Sequence, residues 1–311
     1  MSQPLKVLYA GTPATAVIPF DALLERNDLD VVAVLTREDA PVGRKKVLTP
    51  SPVAQRAEER GIPTLKANRA TAELVEQLRA TGADIAAVVA YGALLPRPVL
   101  DVFEYGWINL HFSLLPQWRG AAPVQRALMA GDTMMGATTF VLDEGMDTGD
   151  IVGTLTDPVR AADTAGSVLE RLSHSGASLL ADSLVAVATG QAKPVPQEGE
   201  ASKAPKLTGP QARIEWNHPA VAISHHVRGV TPEPGAWTDY HGQRMKIDRV
   251  IPTPEVTGLA PGHVAVRGDA VYAGTGSYAV ELTRVQPSGK KPMAALDWAR
   301  GQQRSEQVVF E

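Results

Sequence analysis

Apolar residues fall in short uninterrupted runs along the first part of the chain: Lys6-Val7-Leu8-Tyr9-Ala10, Val31 to Leu35, Ile85 to Tyr91 and Trp107 to His111. Each run is too short for a helix and, apart from Asn109 and His111 in the last, none alternates with polar positions, so they predict strands buried on both faces. Between them, Val17 to Arg26 reads as a helix. Ser51-Pro52 opens another, with a hydroxyl at the capping position and proline in the first turn. Strands rich in Val, Ile and Ala, separated by helices, predict an α/β domain with a parallel sheet covered on both sides. Sites on such sheets lie beyond the carboxyl ends of the strands. The residues after Ala10, Ala90 and Asn109 are therefore the ones to inspect.

The second part has a different texture. Thr164 to Thr189 carries apolar positions at helical spacing, among them Val168, Leu172, Leu179 and Leu184. Pro, Lys, Glu and Gly then dominate without periodicity, which predicts a linker over 191–207. Beyond it come short alternating runs, Met245 to Val250, His263 to Val266 and Tyr278 to Val285, separated by Gly and Pro. This pattern predicts a small antiparallel barrel. The expected organisation is thus a domain over 1–190, a linker over 191–207 and a second domain over 208–311. The length of 311 residues agrees with two domains.

Composition narrows the function classes. With 44% hydrophobic and 21% charged residues, the chain has the make-up of a folded globular protein. Its apolar runs are far shorter than the ~18 residues of a bilayer span, and Met1 to Lys6 lacks the basic and apolar regions of a signal peptide. A cytoplasmic location without membrane contact is expected. There is no cysteine, which excludes disulfides and thiolate metal sites. The net charge of −4 is unevenly spread: acidic residues outnumber basic ones over 1–190, and basic ones prevail over 203–304. A basic second domain permits a polyanionic partner.

The chemistry concentrates in Asn109-Leu110-His111-Phe112-Ser113-Leu114-Leu115-Pro116-Gln117-Trp118-Arg119-Gly120-Ala121-Ala122-Pro123. Asn109 and His111 are two apart, so a strand projects both to one face. One offers amide donors and the other is suited to proton transfer near neutrality. Farther on, Asp143-Glu144-Gly145-Met146-Asp147-Thr148-Gly149-Asp150 forms a glycine-hinged acidic loop. A carboxylate there would orient the imidazole, while Asp143, Asp147 and Asp150 are each equally suited to a turn that binds its own backbone. Gly11-Thr12-Pro13 lacks the Gly-x-Gly-x-x-Gly fingerprint and reads as a turn. His225-His226 has no third ligand at useful spacing, so no metal site is expected.

These motifs together resemble the folate-dependent formyltransferase family. Asn-x-His-x-Ser-Leu-Leu-Pro with a later Asp-Glu-Gly-x-Asp-x-Gly is similar to its catalytic core, and Trp118 to Pro123 to the members that act on methionyl-tRNA. Arg44-Lys45-Lys46 before Pro50-Ser51-Pro52-Val53 resembles their basic insertion loop. Ala212 to Trp216 and Gln286 to Met293 resemble their C-terminal part. The resemblance implies a Rossmann-like parallel-sheet domain followed by a small OB-type β-barrel. It implies Asn109, His111 and Asp147 as catalytic residues and 10-formyltetrahydrofolate as formyl donor, without a metal. The folate would meet Tyr91, Ala93, Asp143 and the wall Ser113, Leu114, Leu115 and Pro116, largely through main-chain atoms. Initiator methionyl-tRNA would be the acceptor, touched by Arg44, Lys45, Lys46, Lys206, Lys290 and Lys291, and the enzyme would act as a monomer. The loop from Pro41 to Thr49 would be mobile without tRNA. Relatives that formylate a nucleotide or an amino sugar share the trio. The basic loop and the C-terminal barrel separate this chain from them.

Overall fold

The first apolar run becomes β1 (Leu5–Gly11), followed by α1 (Val17–Leu24) and β2 (Leu29–Thr36). A hairpin of β3 (Ala40–Val42) and β4 (Val47–Thr49) leads to α2 (Pro52–Glu59) and β5 (Thr64–Lys66). Next come α3 (Ala72–Ala80), β6 (Ile85–Val89), the short α4 (Arg97–Leu100) and β7 (Trp107–His111). After α5 (Pro123–Ala130), β8 (Met134–Val141) and β9 (Ile151–Pro158) precede the long α6 (Ala165–Ala188). This computed structural model describes residues 3–43, 45–302 and 308–311.

Seven strands form one sheet in the order β5-β2-β1-β6-β7-β8-β9. The pairings from β5 through β7 are parallel, and those of β7 with β8 and β8 with β9 antiparallel. The central strands β6 and β7 are buried along their whole length, the polar Asn109 and His111 included. Ser51 caps α2 as expected, its hydroxyl accepting the Ala54 N–H at 3.0 Å and sharing a 2.6 Å hydrogen bond with Thr36. A hairpin stands where the sequence suggests a loop with little to bury. Val42, Val47 and Leu48 remain more than half exposed on it.

The later part begins with α7 (Ala220–Gly229), followed by β10 (Trp237–Tyr240), β11 (Gln243–Pro252) and β12 (Val264–Arg267). Then come β13 (Ala270–Ala273), β14 (Val280–Gln286), β15 (Met293–Ala294) and α8 (Ala295–Arg300). The strands form an antiparallel sheet in the order β10-β11-β14-β13-β12, with β15 added on β14. It curls around a core containing Trp216, Ile247, Leu282, Trp298 and Phe310. Residues 308–311 run between its two end strands: the Val264 N–H donates to Val308 O at 2.9 Å, and the Glu311 N–H to Asp239 O at 3.0 Å. This curled antiparallel sheet matches an OB-like domain.

The chain divides into two compact units. The first consists of Met1–Pro123, Met134–Pro158 and Leu169–Ala204; the second of Val124–Thr133, Val159–Val168 and Pro205–Glu311. Within the second unit, α7 packs on the Val124–Thr133 segment so closely that a Cβ on Gly229 would lie 2.7 Å from Gln125 O. The Arg228 guanidinium donates to Asp163 O at 2.6 Å and Arg160 O at 2.9 Å, tying in the Val159–Val168 segment.

Candidate active site

Asn109 and His111 alternate with Ile108 and Leu110 along β7, so both side chains project from the same face of the sheet. Both are buried, at 9% and 6% exposure, low enough for fixed dipoles to act at full strength. Opposite them in the antiparallel register stand Phe140, facing Asn109, and Thr138, facing His111. The Phe140 ring meets the imidazole edge-on, with centroids 6.5 Å apart.

The imidazole is held at one nitrogen and faced by a carboxylate at the other. Nε2 lies 2.9 Å from the Trp118 carbonyl, which only accepts, so Nε2 carries a proton in this arrangement. In the neutral ring Nδ1 is then the basic nitrogen, and it faces Asp147 Oδ2 at 3.8 Å. A proton taken up at Nδ1 would create an imidazolium beside a carboxylate. Asp147 Oδ2 also accepts the Gly120 N–H at 2.7 Å. Asp147 and Trp118 both have left-handed backbone, φ +55° and +60°, which non-glycine residues adopt only with support. Gly120, at φ +125°, runs so near Ala204 that a Cβ would sit 2.7 Å from its carbonyl oxygen.

The three carboxylates of the acidic loop now separate. Asp143 makes the turn expected of an Asx residue, accepting the Gly145 N–H at 3.0 Å and the Thr148 hydroxyl at 2.8 Å. Asp150 is exposed. Asp147 is the one brought to His111.

The remaining candidate positions differ in how they are held. Tyr91 is buried and its hydroxyl donates to Ala67 O at 2.8 Å, while its carbonyl accepts the Thr12 hydroxyl at 2.9 Å. That last bond stitches the carboxyl end of β1 to that of β6. Ala93 is half-buried. Ser113 donates to Gln117 O at 2.6 Å, and the Thr138 hydroxyl holds the wall by donating to Ser113 O and accepting the Leu115 N–H. Leu115 and Pro116 are buried and Leu114 half-buried. A cavity of about 680 Å³ is lined by Leu100, Phe103, Trp107, Leu142 and Asp143, among others.

Lys45 and Lys46 are exposed at the turn of the β3–β4 hairpin, and Arg44 lies outside the described residues. Lys206, Lys290 and Lys291 are exposed in the second unit. Among the described residues no group of three or more His, Asp or Glu side chains could hold a metal ion, and no helix is long and apolar enough to cross a membrane.

One participant has no signal in the sequence. Gln197, in the segment read as a linker, donates to Asp147 O at 2.9 Å and Gly149 O at 2.8 Å, and accepts from the Arg119 guanidinium at 2.6 Å. Ser202 likewise accepts the Trp118 N–H at 2.8 Å. The segment crosses the site as a strap.

The chain resembles known proteins in sequence and in fold. The chain is 60% identical over 307 residues to the methionyl-tRNA formyltransferase of Arthrobacter sp. (strain FB24), covering 99% of this chain and 100% of that one. Its fold is similar to that of an N-formyltransferase from Helicobacter canadensis solved with folinic acid and dTDP-3-aminofucose. There the TM-score is 0.67 at 17% identity, covering 91% of this chain and 99% of that one. HypX from Aquifex aeolicus in complex with tetrahydrofolic acid matches with a TM-score of 0.63 at 17% identity; all of this chain spans 51% of that one. Residues 5–184 match the formyl transferase family and residues 206–303 the formyl transferase C-terminal domain. With both parts matched in order and a full-length relative at this identity, the chain belongs to the formyl transferase family.

Proposed function

We propose that this chain transfers the formyl group of 10-formyltetrahydrofolate to the amino group of methionine esterified to initiator tRNA. The observation that carries the reading is the buried Asn109 and His111 toward the carboxyl end of β7 with Asp147 beside the imidazole, in a chain with a full-length methionyl-tRNA formyltransferase relative. The structural likenesses at 17% identity concern the fold alone.

The amine attacks the formyl carbon, a C–N bond forms, and negative charge develops on the formyl oxygen. Asn109 is the donor for that oxygen, because its carboxamide makes no side-chain hydrogen bond to another described residue. His111 differs: its Nε2 proton is held by Trp118, and it reaches an oxyanion only if that bond opens. Its free basic position is Nδ1, beside Asp147. We infer that the proton leaving the attacking amine passes into this His111–Asp147 pair. Collapse of the tetrahedral intermediate breaks the bond to the folate N10, which takes a proton as it leaves. A buried, preset donor is worth ~3–4 kcal/mol in such acyl transfers.

The folate is proposed to lie along Tyr91, Ala93, Asp143 and the Ser113–Pro116 wall. Asp143 and Ser113 spend their side chains on their own turns, so the main chain is what remains for a pterin edge. Lys45 and Lys46, with Arg44, are assigned to the acceptor end of the tRNA, and Lys206, Lys290 and Lys291 to its backbone. A cytoplasmic monomer suits this role in translation initiation. The test is formyl transfer from 10-formyltetrahydrofolate to methionyl initiator tRNA. Wild type is expected to turn over, His111→Ala to be inactive, and the Lys45→Ala/Lys46→Ala variant to show a raised KM for tRNA that depends less steeply on salt. Wild type that ignores charged tRNA and formylates a small amine would overturn the substrate assignment and leave the trio standing.

A further inference from the structure

The strap across the active site is built around one amide. Gln197 is half-buried among exposed neighbours, and all of its polar capacity points inward. Nε2 donates both hydrogens, to Asp147 O at 2.9 Å and Gly149 O at 2.8 Å. Oε1 accepts two from Arg119, at Nε 3.1 Å and Nη2 2.6 Å. Only an amide side chain donates and accepts in this way; a glutamate cannot serve the two carbonyls, and a lysine cannot serve the guanidinium.

The two groups that Gln197 joins are the two that fix the Asp147 carboxylate. Asp147 itself sits at φ +55°, a conformation its neighbours must hold. Gly120, whose N–H holds Asp147 Oδ2 at 2.7 Å, directly follows Arg119. The Arg119 main chain is pinned to the same strap, its N–H donating to Ser202 O at 2.9 Å and its carbonyl accepting the Ala204 N–H at 2.7 Å. One side chain therefore sets the backbone that carries the carboxylate and also the loop that grips it.

We propose that Gln197, with Arg119, is a positioning residue that sets the distance of the Asp147 carboxylate from His111. This deepens the proposed formyl transfer and rests on it. Outer partners of reacting groups commonly matter by about 10- to 100-fold when removed. Gln197→Met keeps the bulk and removes every hydrogen bond, whereas Gln197→Glu keeps the acceptor for Arg119 and loses both donors. Both variants are expected to lower kcat by about 10- to 100-fold, with KM for folate and tRNA within about twofold of wild type. In an Asp147→Asn background, Gln197→Met should cost little more, because the residue acts through that carboxylate.

Hydrogen exchange read by mass spectrometry supplies an arm independent of activity. Peptides over 117–122 and 144–150 should exchange faster in both variants while β1 and β6 keep wild-type protection. Unchanged exchange in those peptides, an unchanged kcat, or full additivity with Asp147→Asn would each overturn the proposal. So would loss of protection throughout β1 and β6, which would make Gln197 a residue of global stability. Failure of the formyl-transfer reading shows separately, as wild-type protein without transfer, and the exchange comparison still decides the positioning role.

Discussion

In the proposed formyl transfer Asn109 and Asp147 have separate tasks, and removal of either should be felt in turnover. Asn109→Ala deletes the proposed donor for the developing oxyanion, so kcat should fall by about 10²- to 10³-fold with modest change in KM. Asp147→Asn keeps the Gly120 hydrogen bond as an acceptor but removes the charge beside Nδ1, and a loss of similar size is expected. Steady-state kinetics with both substrates checks this; a loss below tenfold in either variant would remove that residue from the chemistry. The sequence made these positions unequally legible. The pairing of Asn109 with His111 follows from their spacing of two on an apolar strand. The choice among Asp143, Asp147 and Asp150 does not, because each sits in a turn-forming context. The family resemblance singles out Asp147, and in the structure the backbone turns Asp143 on its own loop and Asp147 toward the imidazole. Gln197 was illegible for a plainer reason: its partners lie 48 to 78 positions away.

Among the elements, those with strong local signals were readable. The Ser51 cap of α2 is one, and its loss should be felt: Ser51→Ala strips the Ala54 N–H and the Thr36 hydroxyl of their partner. A decrease of about 1 kcal/mol is expected in urea unfolding; no shift in the midpoint would show that another group takes over the cap. The hairpin of β3 and β4 was not readable, since its strands are three residues long and exposed on the outside. Helix α7 carries a pH dependence. Burial is the main cause that lowers the pKa of His226 from its ordinary 6.5, opposed by a hydrogen bond to the Ala212 backbone. His225 is lowered in the same direction, by burial and then by Arg228. Below pH 6.5 the unfolded chain binds protons at these rings more readily than the folded one does. Their contribution is therefore present above 6.5 and fades as pH falls through it. His226→Gln should flatten the loss of stability between pH 7 and 5.5, measured by urea midpoints; an unaltered slope would discount the ring.

At the scale of the whole molecule, an α/β part followed by a β part is legible in the sequence, because the change from unbroken to alternating apolar runs is a change of sheet type. What it could not show is that the second compact unit is gathered from three separate stretches of chain. A fragment beginning at Pro205 would carry α7 without Val124–Thr133, on which Gly229 packs, and without the carbonyls of Arg160 and Asp163 that take Arg228. Such a fragment is expected to be less stable than the same unit in the full chain and to expose apolar surface to a dye such as ANS. A cooperative transition with full-length stability would refute this.

The same braiding bears on how a protein of this build can change over time. A crossover at one point, exchanging everything after Ala204, would pair α7 with segments selected against a different helix. The recipient's Val124–Thr133 and Val159–Val168 segments would have to match by chance, or be exchanged along with it. Inheritance of the second unit as a detachable cassette is thereby discouraged. Novel acceptor preferences in such a lineage should arise by gradual substitution, with α7 and its two distant partner segments drifting in concert.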